Sequence, residues 1–248
     1  MDLGLTGKVC LVTGSTAGIG RATAELLRSD GATVVTSGRR AGGIGDLHVP
    51  VDLTQRGEGE RLAAAVEQRF GRIDCLVNAV GGAAIRKLED LTEDDWHSSF
   101  ELNLMSAIRT TQAVLPGMRR RRSGSIVNVS STSAKRPSTT LPEYSVMKAG
   151  LLSYSRLVAD VHAAEGIRCN AVTPGPTATD AWLGEGGLAV QQGDRDEVLA
   201  RVAAGRPLGR LAEPHEIAAV IVFLLSERAS YVTGAAWSAD GGTVPVII

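Results

Sequence analysis

Residues 8–20 read Lys-Val-Cys-Leu-Val-Thr-Gly-Ser-Thr-Ala-Gly-Ile-Gly, and this stretch decides the fold of the 248-residue chain. The apolar, β-branched run that ends at Thr13 is typical of a buried strand. A helical pattern over residues 19–28 follows at once. Glycines in such a turn let the backbone approach a pyrophosphate, whose charge meets the positive end of the helix. The stretch predicts a strand–turn–helix unit that binds a dinucleotide, although a turn of this kind can also serve packing alone.

Outward from this unit, short apolar runs alternate with stretches of helical periodicity along the whole chain. Such alternation predicts a parallel sheet with helices on both faces. We therefore expect a single Rossmann-type, doubly wound α/β domain over residues 1–248, with about seven strands. The predicted strands are residues 8–13, 32–37, 47–52, 73–79, 125–130, 167–172 and 235–239. The predicted helices are residues 19–28, 59–70, 93–118, 142–164 and 214–225.

The charges of the chain nearly cancel, since 26 Lys and Arg against 27 Asp and Glu give a formal net charge of −1. This balance creates no field that would attract nucleic acid or an anionic membrane. The one basic run, residues 119–122, precedes Ser-Gly and is predicted to end a helix, where cations are favoured. The longest apolar stretch, residues 217–225, is far shorter than a membrane span.

Cysteine and histidine are sparse and scattered, with 3 Cys and 4 His in the chain. Their spacing fits neither a disulfide framework nor a metal-binding motif. We therefore expect no metal, no nucleic-acid or membrane partner, and a location in the cytoplasm, where thiols stay reduced.

Tyr144 and Lys148 lie four residues apart in a predicted helix, shortly after Ser131. Positions i and i+4 share one helix face, which would bring the ammonium within a few Å of the phenol. Lowering the pKa of a tyrosine from ~10 by ~3 units takes about 4 kcal/mol, roughly what one positive charge supplies at ~4 Å in an effective dielectric of ~20. The pair therefore indicates acid–base chemistry or, taken alone, a surface pair with a packing tyrosine.

In their order along the chain, these motifs resemble the short-chain dehydrogenase/reductase family, and within it the 3-oxoacyl-acyl-carrier-protein reductases. The resemblance extends from about residue 5 to residue 242. It rests on TGSTAGIG at residues 13–20, Asp52, NAVG at residues 78–81, Asn103, Ser131, Tyr144, Lys148, Pro174 and Gly175, and Asp-Gly-Gly at residues 240–242. The GxSxG nucleophile elbow of a serine hydrolase is missing from the sequence.

The resemblance implies a catalytic set of Asn103, Ser131, Tyr144 and Lys148. Tyr144 would donate a proton to a substrate carbonyl oxygen, or remove one from an alcohol, while hydride passes to or from a nicotinamide. Lys148 would lower the pKa of Tyr144 and hydrogen-bond the nicotinamide ribose. Ser131 would hold the carbonyl oxygen in place. Asn103 would help to bind a water that links Lys148 to solvent.

The same resemblance implies a dinucleotide-binding set. Asp52 with the Leu53 backbone would contact the adenine, Asn78 and Gly81 would flank the adenosine ribose, and Thr179 would lie toward the nicotinamide. The full set is Gly14, Ser15, Thr16, Gly18, Ile19, Gly20, Arg39, Arg40, Asp52, Leu53, Asn78, Gly81, Tyr144, Lys148, Pro174, Gly175, Thr177 and Thr179. The segment at 78–81 lacks the second Asn of the usual Asn-Asn-Ala-Gly, so we expect a hydrogen bond that stabilises the sheet to be missing.

Cofactor choice is predicted from the end of the second strand. Family members that use NAD usually place an Asp where Gly38 stands, and an acid there would repel a 2′-phosphate. Arg39 and Arg40 follow instead, and charge-assisted bonds to a phosphate favour NADP(H), with NAD(H) as the alternative. Ala17 departs from the basic residue that many NADP-using members carry in the glycine loop. The segment 40–49 is too short for the usual helix, so we expect one sheet face near the adenine to be partly open.

Two segments, residues 132–143 and 181–205, are expected to border the substrate, the second as a mobile lid. Trp182, Leu183 and Leu188 would form an apolar wall, or pack against the lid's own helix. Arg136 is expected to lie exposed in its loop, and contact with an acidic tail such as a carrier-protein or CoA phosphate is the alternative.

The expected function is NADPH-dependent reduction of a ketone to a secondary alcohol, on a medium-sized, partly apolar small molecule such as a keto acyl thioester or a polyketide-like ketone. The same residues would serve an alcohol or sugar dehydrogenase that works oxidatively, and a non-catalytic, cofactor-binding regulatory protein would share the fold. The resemblance also implies a homotetramer or homodimer, formed through residues 93–118, 142–164 and 214–239. The apolar residues 244–248 suit burial at a subunit contact.

Overall fold

Seven parallel strands form one sheet in the computed structural model, which describes residues 2–245. Their spatial order is β3-β2-β1-β4-β5-β6-β7, so the chain reverses its direction of progress between β1 and β4. Such a switch point opens a crevice at the carboxyl ends of the strands. The strands are β1 (Val9–Thr13), β2 (Thr33–Gly38), β3 (Leu47–Pro50), β4 (Cys75–Asn78), β5 (Gly124–Val129), β6 (Ile167–Pro174) and β7 (Ala236–Ala239). The predicted Rossmann-type α/β fold is confirmed.

Helices connect these strands on both faces of the sheet. They are α1 (Gly18–Ser29), α2 (Glu58–Phe70), α3 (Glu93–Phe100), α4 (Ser106–Arg121), α5 (Pro142–His162), α6 (Asp180–Leu183), α7 (Arg195–Ala204) and α8 (Pro214–Leu225). Over residues 2–245, none of them combines the length and the apolarity that a membrane crossing requires.

Two apolar cores lie on the two faces of the sheet, and alternate residues of each strand feed them. In β1, Leu11 packs into the core that also holds Leu62 of α2 and residues of α4 and α5. Its neighbour Val12 packs into the other core, with Leu27 of α1 and Ile217 of α8. Because both faces are covered, the strands read as continuous apolar runs rather than as alternating ones.

The stretch predicted as one helix over residues 93–118 is divided. A wide π-type turn, Glu101–Met105, separates α3 from α4. Such a turn closes hydrogen bonds one residue further along the chain than an α-helix does, and it is frequent at functional sites. The turn carries Asn103, whose side chain is 2% exposed.

The basic run at residues 119–122 ends α4, as its composition predicted. Arg122 has a left-handed φ of 50° and lies just beyond the last helical residue. Arg119 forms an ion pair with Glu165 at 2.8 Å, and Arg121 donates to the carbonyl of Ile73 at 2.6 Å. These arginines therefore tie the end of α4 to neighbouring segments.

The short connection between β2 and β3 covers the sheet face that we expected to be partly open. Ile44 packs half-buried against the core that contains Val34. The amide of Asp46 donates to the Val34 carbonyl, and its carboxylate accepts from the Val34 amide, both at 2.7 Å. A glycine-rich loop thus replaces a helix as a thin cover. Of the apolar tail at residues 244–248, residues 246–248 lie outside the described part of the chain.

Candidate active site

The carboxyl ends of β1, β2, β4, β5 and β6 border one cleft of about 1400 Å³. Most residues predicted for catalysis or cofactor binding line it: Gly14, Thr16, Gly18, Ile19, Gly20, Arg39, Asp52, Leu53, Gly81, Ser131, Tyr144, Lys148, Pro174, Gly175, Thr177 and Thr179. Ser15, Arg40, Asn78 and Asn103 are not part of its lining.

The glycine-rich turn between β1 and α1 forms one wall of the cleft and fits a dinucleotide pyrophosphate. Gly14 has a φ of 62°, and a Cβ at this position would lie 2.7 Å from the carbonyl oxygen of Ala79. Only glycine therefore lets the turn pack against the end of β4. The first turn of α1 carries no acidic side chain, and Ala17 at its N-cap has no side-chain acceptor. The amide groups of this turn are thus left for an external anion.

Ser131, Tyr144 and Lys148 converge in the middle of the cleft. Ser131 follows β5, where its Oγ accepts a hydrogen bond from the Ser133 amide at 3.1 Å. Tyr144 and Lys148 lie one turn apart at the start of α5. The Lys148 side chain is 3% exposed, and its Nζ donates to the carbonyl of Val129 at 3.0 Å. The same ammonium lies 5.6 Å from the centroid of the Tyr144 ring.

The pKa values of this pair differ from the sequence-based expectation. Burial raises the pKa of Tyr144, and a hydrogen bond with the Ser131 side chain opposes that rise. Burial also lowers the pKa of Lys148 to about 8. The net shift of the Tyr144 pKa is therefore upward, opposite to the expected lowering, because desolvation of the phenol outweighs the hydrogen bond with Ser131.

Asn103 reaches the catalytic centre through the backbone rather than through the cleft wall. Its amide accepts from the Gly82 N–H and donates to the Gly82 carbonyl, both at 3.0 Å. A Cβ on Gly81 would lie 3.0 Å from both the Asn103 Oδ1 and the Lys148 Nζ. Asn103 therefore holds the backbone at Gly81 and Gly82, which lies between its side chain and Lys148. The π-type turn directs the Asn103 side chain toward this backbone.

The side chains of Ser15 and Asn78 form hydrogen bonds inside the protein and do not line the cleft in which their cofactor contacts were predicted. Ser15 Oγ donates to the Val12 carbonyl at 2.9 Å and accepts from the Ser37 amide at 3.0 Å. Asn78 Nδ2 donates to the Asn128 side chain at 2.8 Å. Ser15 thus joins the glycine turn to β2, and Asn78 joins β4 to β5, so this Asn supplies a sheet hydrogen bond of the kind that we expected to be missing.

Asn78 also extends that connection to the helices. Its Nδ2 donates to Thr111 of α4 at 3.0 Å, while Asn128 Nδ2 donates to Ser155 of α5 at 2.8 Å. All four side chains are buried. Turned toward α4, the Asn78 side chain faces away from the cleft.

The end of β2 presents one arginine to the cleft instead of two. Arg39 lines it, whereas Arg40 is exposed outside it and its carbonyl is held by His48 Nε2 at 2.7 Å. Gly38 carries no side chain, and a Cβ there would lie 2.7 Å from the Thr16 methyl group. The glycine therefore both removes a competing acid and lets Thr16 pack over the strand end.

Arg109 and Glu101 shape the far end of the cleft, and the sequence reading missed both. The Arg109 side chain is buried, donates to the carbonyls of Leu53 and Thr54 at 3.1 and 3.0 Å, and pairs with Glu101 at 2.6 Å. It holds the loop after β3, where Asp52 Oδ1 accepts from the Thr54 hydroxyl at 2.8 Å. No local signal marks this contact, because it spans more than fifty residues of sequence.

Apolar side chains line the cleft beside the segments that were expected to border the substrate. Trp182 and Leu188 line it as expected, whereas Leu183 does not. The structure adds Ile85, Leu141 and Val202 to this wall. The segment predicted as a lid contributes α6 and α7, which are joined through a short 3₁₀ turn at Val190–Gln192.

Known proteins with this sequence pattern share the fold and the length of the chain. The family model described as enoyl-(acyl carrier protein) reductase matches residues 14–244. A 3-oxoacyl-[acyl-carrier-protein] reductase of Thermotoga maritima is 36% identical, over 97% of this chain and 99% of the relative. The D-beta-hydroxybutyrate dehydrogenase of Cupriavidus necator is 34% identical, over 97% and 99%.

A solved structure, L-sorbose reductase of Gluconobacter frateurii in complex with NADPH and L-sorbose, superposes with a TM-score of 0.93. It is 33% identical, and the match covers 100% of both chains. Together with the family model and the full-length relatives, this places the sequence motifs and the sheet order in one known group of enzymes. The chain is therefore an oxidoreductase and belongs to the short-chain dehydrogenase/reductase family.

Proposed function

We propose that the chain uses NADPH to reduce a ketone to a secondary alcohol, on a medium-sized, partly apolar molecule such as a keto acyl thioester or a polyketide-like ketone. The observation that carries this proposal is the meeting of Ser131, Tyr144 and Lys148 in the cleft that also holds the glycine-rich turn. A proton donor beside a dinucleotide site is what carbonyl reduction needs. The wall that contains Trp182 and Leu188 supports a partly apolar substrate.

Bound NADPH supplies the hydride, and the residues of the chain manage the oxygen. Ser131 donates a hydrogen bond to the carbonyl oxygen, and Tyr144 transfers its phenolic proton to that oxygen as negative charge develops. The raised pKa of Tyr144 keeps the phenol protonated at neutral pH, which is the form that reduction requires. Lys148 carries the positive charge that stabilises the phenolate left behind. Asn103 positions the backbone next to Lys148.

The preference for NADPH over NADH rests on Arg39. Its guanidinium lines the cleft at the end of β2, where Gly38 leaves no carboxylate to repel a 2′-phosphate. The NADPH complex of the sorbose reductase supports the same choice. Arg40 contributes no cleft contact, so one arginine carries the preference.

Replacement of the proton donor tests the reaction. Tyr144→Phe is expected to lower kcat for ketone reduction by ~10²–10⁴-fold while NADPH still binds, because only proton transfer is removed. A panel of keto acyl thioesters, cyclic ketones and keto sugars is assayed by the loss of NADPH absorbance. Tyr154→Phe is the matched control, since Tyr154 lies on α5 outside the cleft. Undiminished activity in Tyr144→Phe would contradict the mechanism.

Oxidation of an alcohol or a sugar is the second candidate. The same side chains serve the reverse reaction, and the similarity to D-beta-hydroxybutyrate dehydrogenase favours this possibility. Oxidation of hydroxy acids or sugars by NAD⁺ or NADP⁺, without measurable reduction of ketones at neutral pH, would select it. A cofactor-binding regulatory protein would bind NADPH without turnover anywhere in the panel.

Self-association into a homotetramer or homodimer also belongs to the proposal. On α5, Leu157 and Val161 are 58% and 65% exposed, and beyond α8 the ring of Tyr231 is fully exposed. Apolar surface of this kind favours burial between copies of the chain. Sedimentation velocity measures the mass in solution, and a monomer at micromolar concentration would contradict it. The cytoplasmic location stays a prediction.

A further inference from the structure

We propose that Arg136 and Arg206 form an anion subsite, so that the substrate carries a carboxylate or phosphate group within a few bonds of the reacting carbonyl. This inference rests on the proposed reduction and names the class of substrate within it. Neither arginine belongs to the predicted cofactor set.

The two arginines enter the cleft from separate segments beside the catalytic centre. Arg136 lies on the connection from β5 to α5 that begins at Ser131, and its amide donates to the Thr132 carbonyl at 2.9 Å. A turn closed in this way advances the backbone by only about 5.4 Å, so Arg136 stays near Ser131. Arg206 follows α7 at the end of the predicted lid. Both residues line the same cleft as Tyr144, Arg136 exposed and Arg206 half-buried.

Neither guanidinium has an ion-pair partner among the described residues 2–245. Arg206 Nη1 donates to the carbonyl of Gly205 at 3.1 Å, while its Nε is buried without a hydrogen-bond partner in this part of the chain. Burial lowers the pKa of Arg206, Arg136 lowers it further by repulsion, and Asp240 opposes both. An oxyanion between the two cations would supply the missing acceptor and relieve the repulsion.

The other charged groups of the cleft have separate partners or places. Arg39 lies at the end of β2, and Asp52 and Glu101 lie near the loop after β3, which is the adenine end. Asp180 begins α6 beside Thr179. Apart from the catalytic Lys148, the arginine pair is therefore the cationic feature of the segments expected to border the substrate, within the described residues.

The geometry favours a compact substrate. Guanidinium groups bind carboxylates and phosphates through paired hydrogen bonds, which also fix orientation. Because Arg136 stays one turn from Ser131, the anion that it binds lies close to the carbonyl that Ser131 holds. The apolar wall then accommodates the remaining carbon atoms of the molecule.

Substrate pairs with one charged and one neutral member test the subsite. The pairs are acetoacetate with methyl acetoacetate, dihydroxyacetone phosphate with dihydroxyacetone, and acetoacetyl-CoA with the N-acetylcysteamine thioester, whose charges differ only far from the ketone. In Arg206→Ala and Arg136→Ala, KM for the charged member of the first or second pair is expected to rise about 10- to 100-fold, with kcat little changed. Arg206→Lys should recover part of the loss. Arg201→Ala, an exposed arginine of α7 outside the cleft, is the control.

The outcomes separate the subsite from the reaction. A loss confined to acetoacetate identifies a carboxylate, and a loss confined to the keto phosphate identifies a phosphate. The inference is overturned if the ratio of kcat/KM for the charged ketone to kcat/KM for its neutral partner is the same in wild type and in the variants. Activity on the neutral ketones would still support the proposed reduction. A rise in KM for acetoacetyl-CoA alone also overturns the inference, since the anion that the arginines bind would then lie far from the reacting carbonyl.

Direct binding decides the case in which no ketone is reduced. Calorimetric titration of the NADPH-loaded protein with 3-hydroxybutyrate and its methyl ester measures the subsite without turnover, because a reduced cofactor cannot take hydride from an alcohol. Binding of the acid that is lost in Arg206→Ala supports the subsite even if the proposed reduction fails. Binding that is absent, or equal for acid and ester, overturns it.

Discussion

The buried ammonium of Lys148 costs the fold stability, and its removal should show this directly. The side chain is 3% exposed and has one hydrogen bond, to the Val129 carbonyl. Burial lowers its pKa from 10.5 to about 8, which means that the folded chain binds this proton more weakly than the unfolded chain. Lys148→Met replaces the charge with an unbranched apolar side chain of similar length.

The size of the effect follows from proton linkage. A fall in pKa from 10.5 to about 8 corresponds to a penalty of about 3 kcal/mol at pH ~7. Between pH about 8 and pH 10.5 the unfolded chain binds more protons than the folded chain, so the free energy of unfolding rises with pH. At pH ~9.5 the remaining penalty is about 1 kcal/mol. Loss of the hydrogen bond to Val129 costs Lys148→Met about 1–3 kcal/mol at either pH, so the change with pH is the clean signal.

Urea unfolding of both proteins without added cofactor, at pH ~7 and pH ~9.5, measures this signal. The free energy of unfolding of wild type minus that of Lys148→Met should rise by about 2 kcal/mol over this interval. Other titrating groups cancel in the difference, since both proteins carry them. A difference that stays constant with pH would refute the buried, weakly basic Lys148. Ketone reduction should be lost in the variant at both values.

Three further substitutions test other parts of the site. Arg39→Asp should weaken NADPH binding by about 10- to 100-fold and spare NADH in a fluorescence titration, because a carboxylate repels the 2′-phosphate; equal losses would contradict the assignment. Gly14→Ala should lower the melting temperature and NADPH affinity, since its Cβ meets the backbone at the end of β4, whereas Gly186→Ala, with open space around it, should not. Asn128→Ala should destabilise the chain by about 1–3 kcal/mol in urea, because side chains on β4 and α5 lose a buried partner; an unchanged midpoint would show that the network contributes nothing.

The fold was predictable because each of its determinants is local. Each of these signals, the apolar strands, the helical periodicity and the glycine turn after β1, occupies fewer than about twenty residues. The alternation of strands with helices then predicts that the strands are parallel. The Tyr144 and Lys148 pair was local as well, since i and i+4 share a helix face. Helix starts depend on local chemistry too, since Thr92 caps α3 and Pro214 is the first residue of α8.

Side-chain placement was less predictable than the fold. Ser15 and Asn78 stand in the right place along the chain, but their side chains point into the protein, where hydrogen bonds across the sheet compete with any ligand. The π-type turn at Asn103 inserts its extra residue without a distinctive sequence. The direction of a side chain and its hydrogen-bond partner depend on tertiary contacts, which the periodicity of the sequence does not encode.

The acid–base pair shows how such contacts reshape a prediction that was right in its residues. The sequence-based expectation was that Lys148 lowers the pKa of Tyr144, because an ammonium and a phenolate attract each other in a medium of uniform dielectric. The structure instead buries Lys148 and half-buries Tyr144, and desolvation raises the pKa of Tyr144 and lowers that of Lys148. At neutral pH this leaves a protonated phenol beside an ammonium, the state from which a carbonyl can be reduced. The phenol therefore rests in its protonated form, and oxidation of an alcohol by the same site requires the phenol to be deprotonated first.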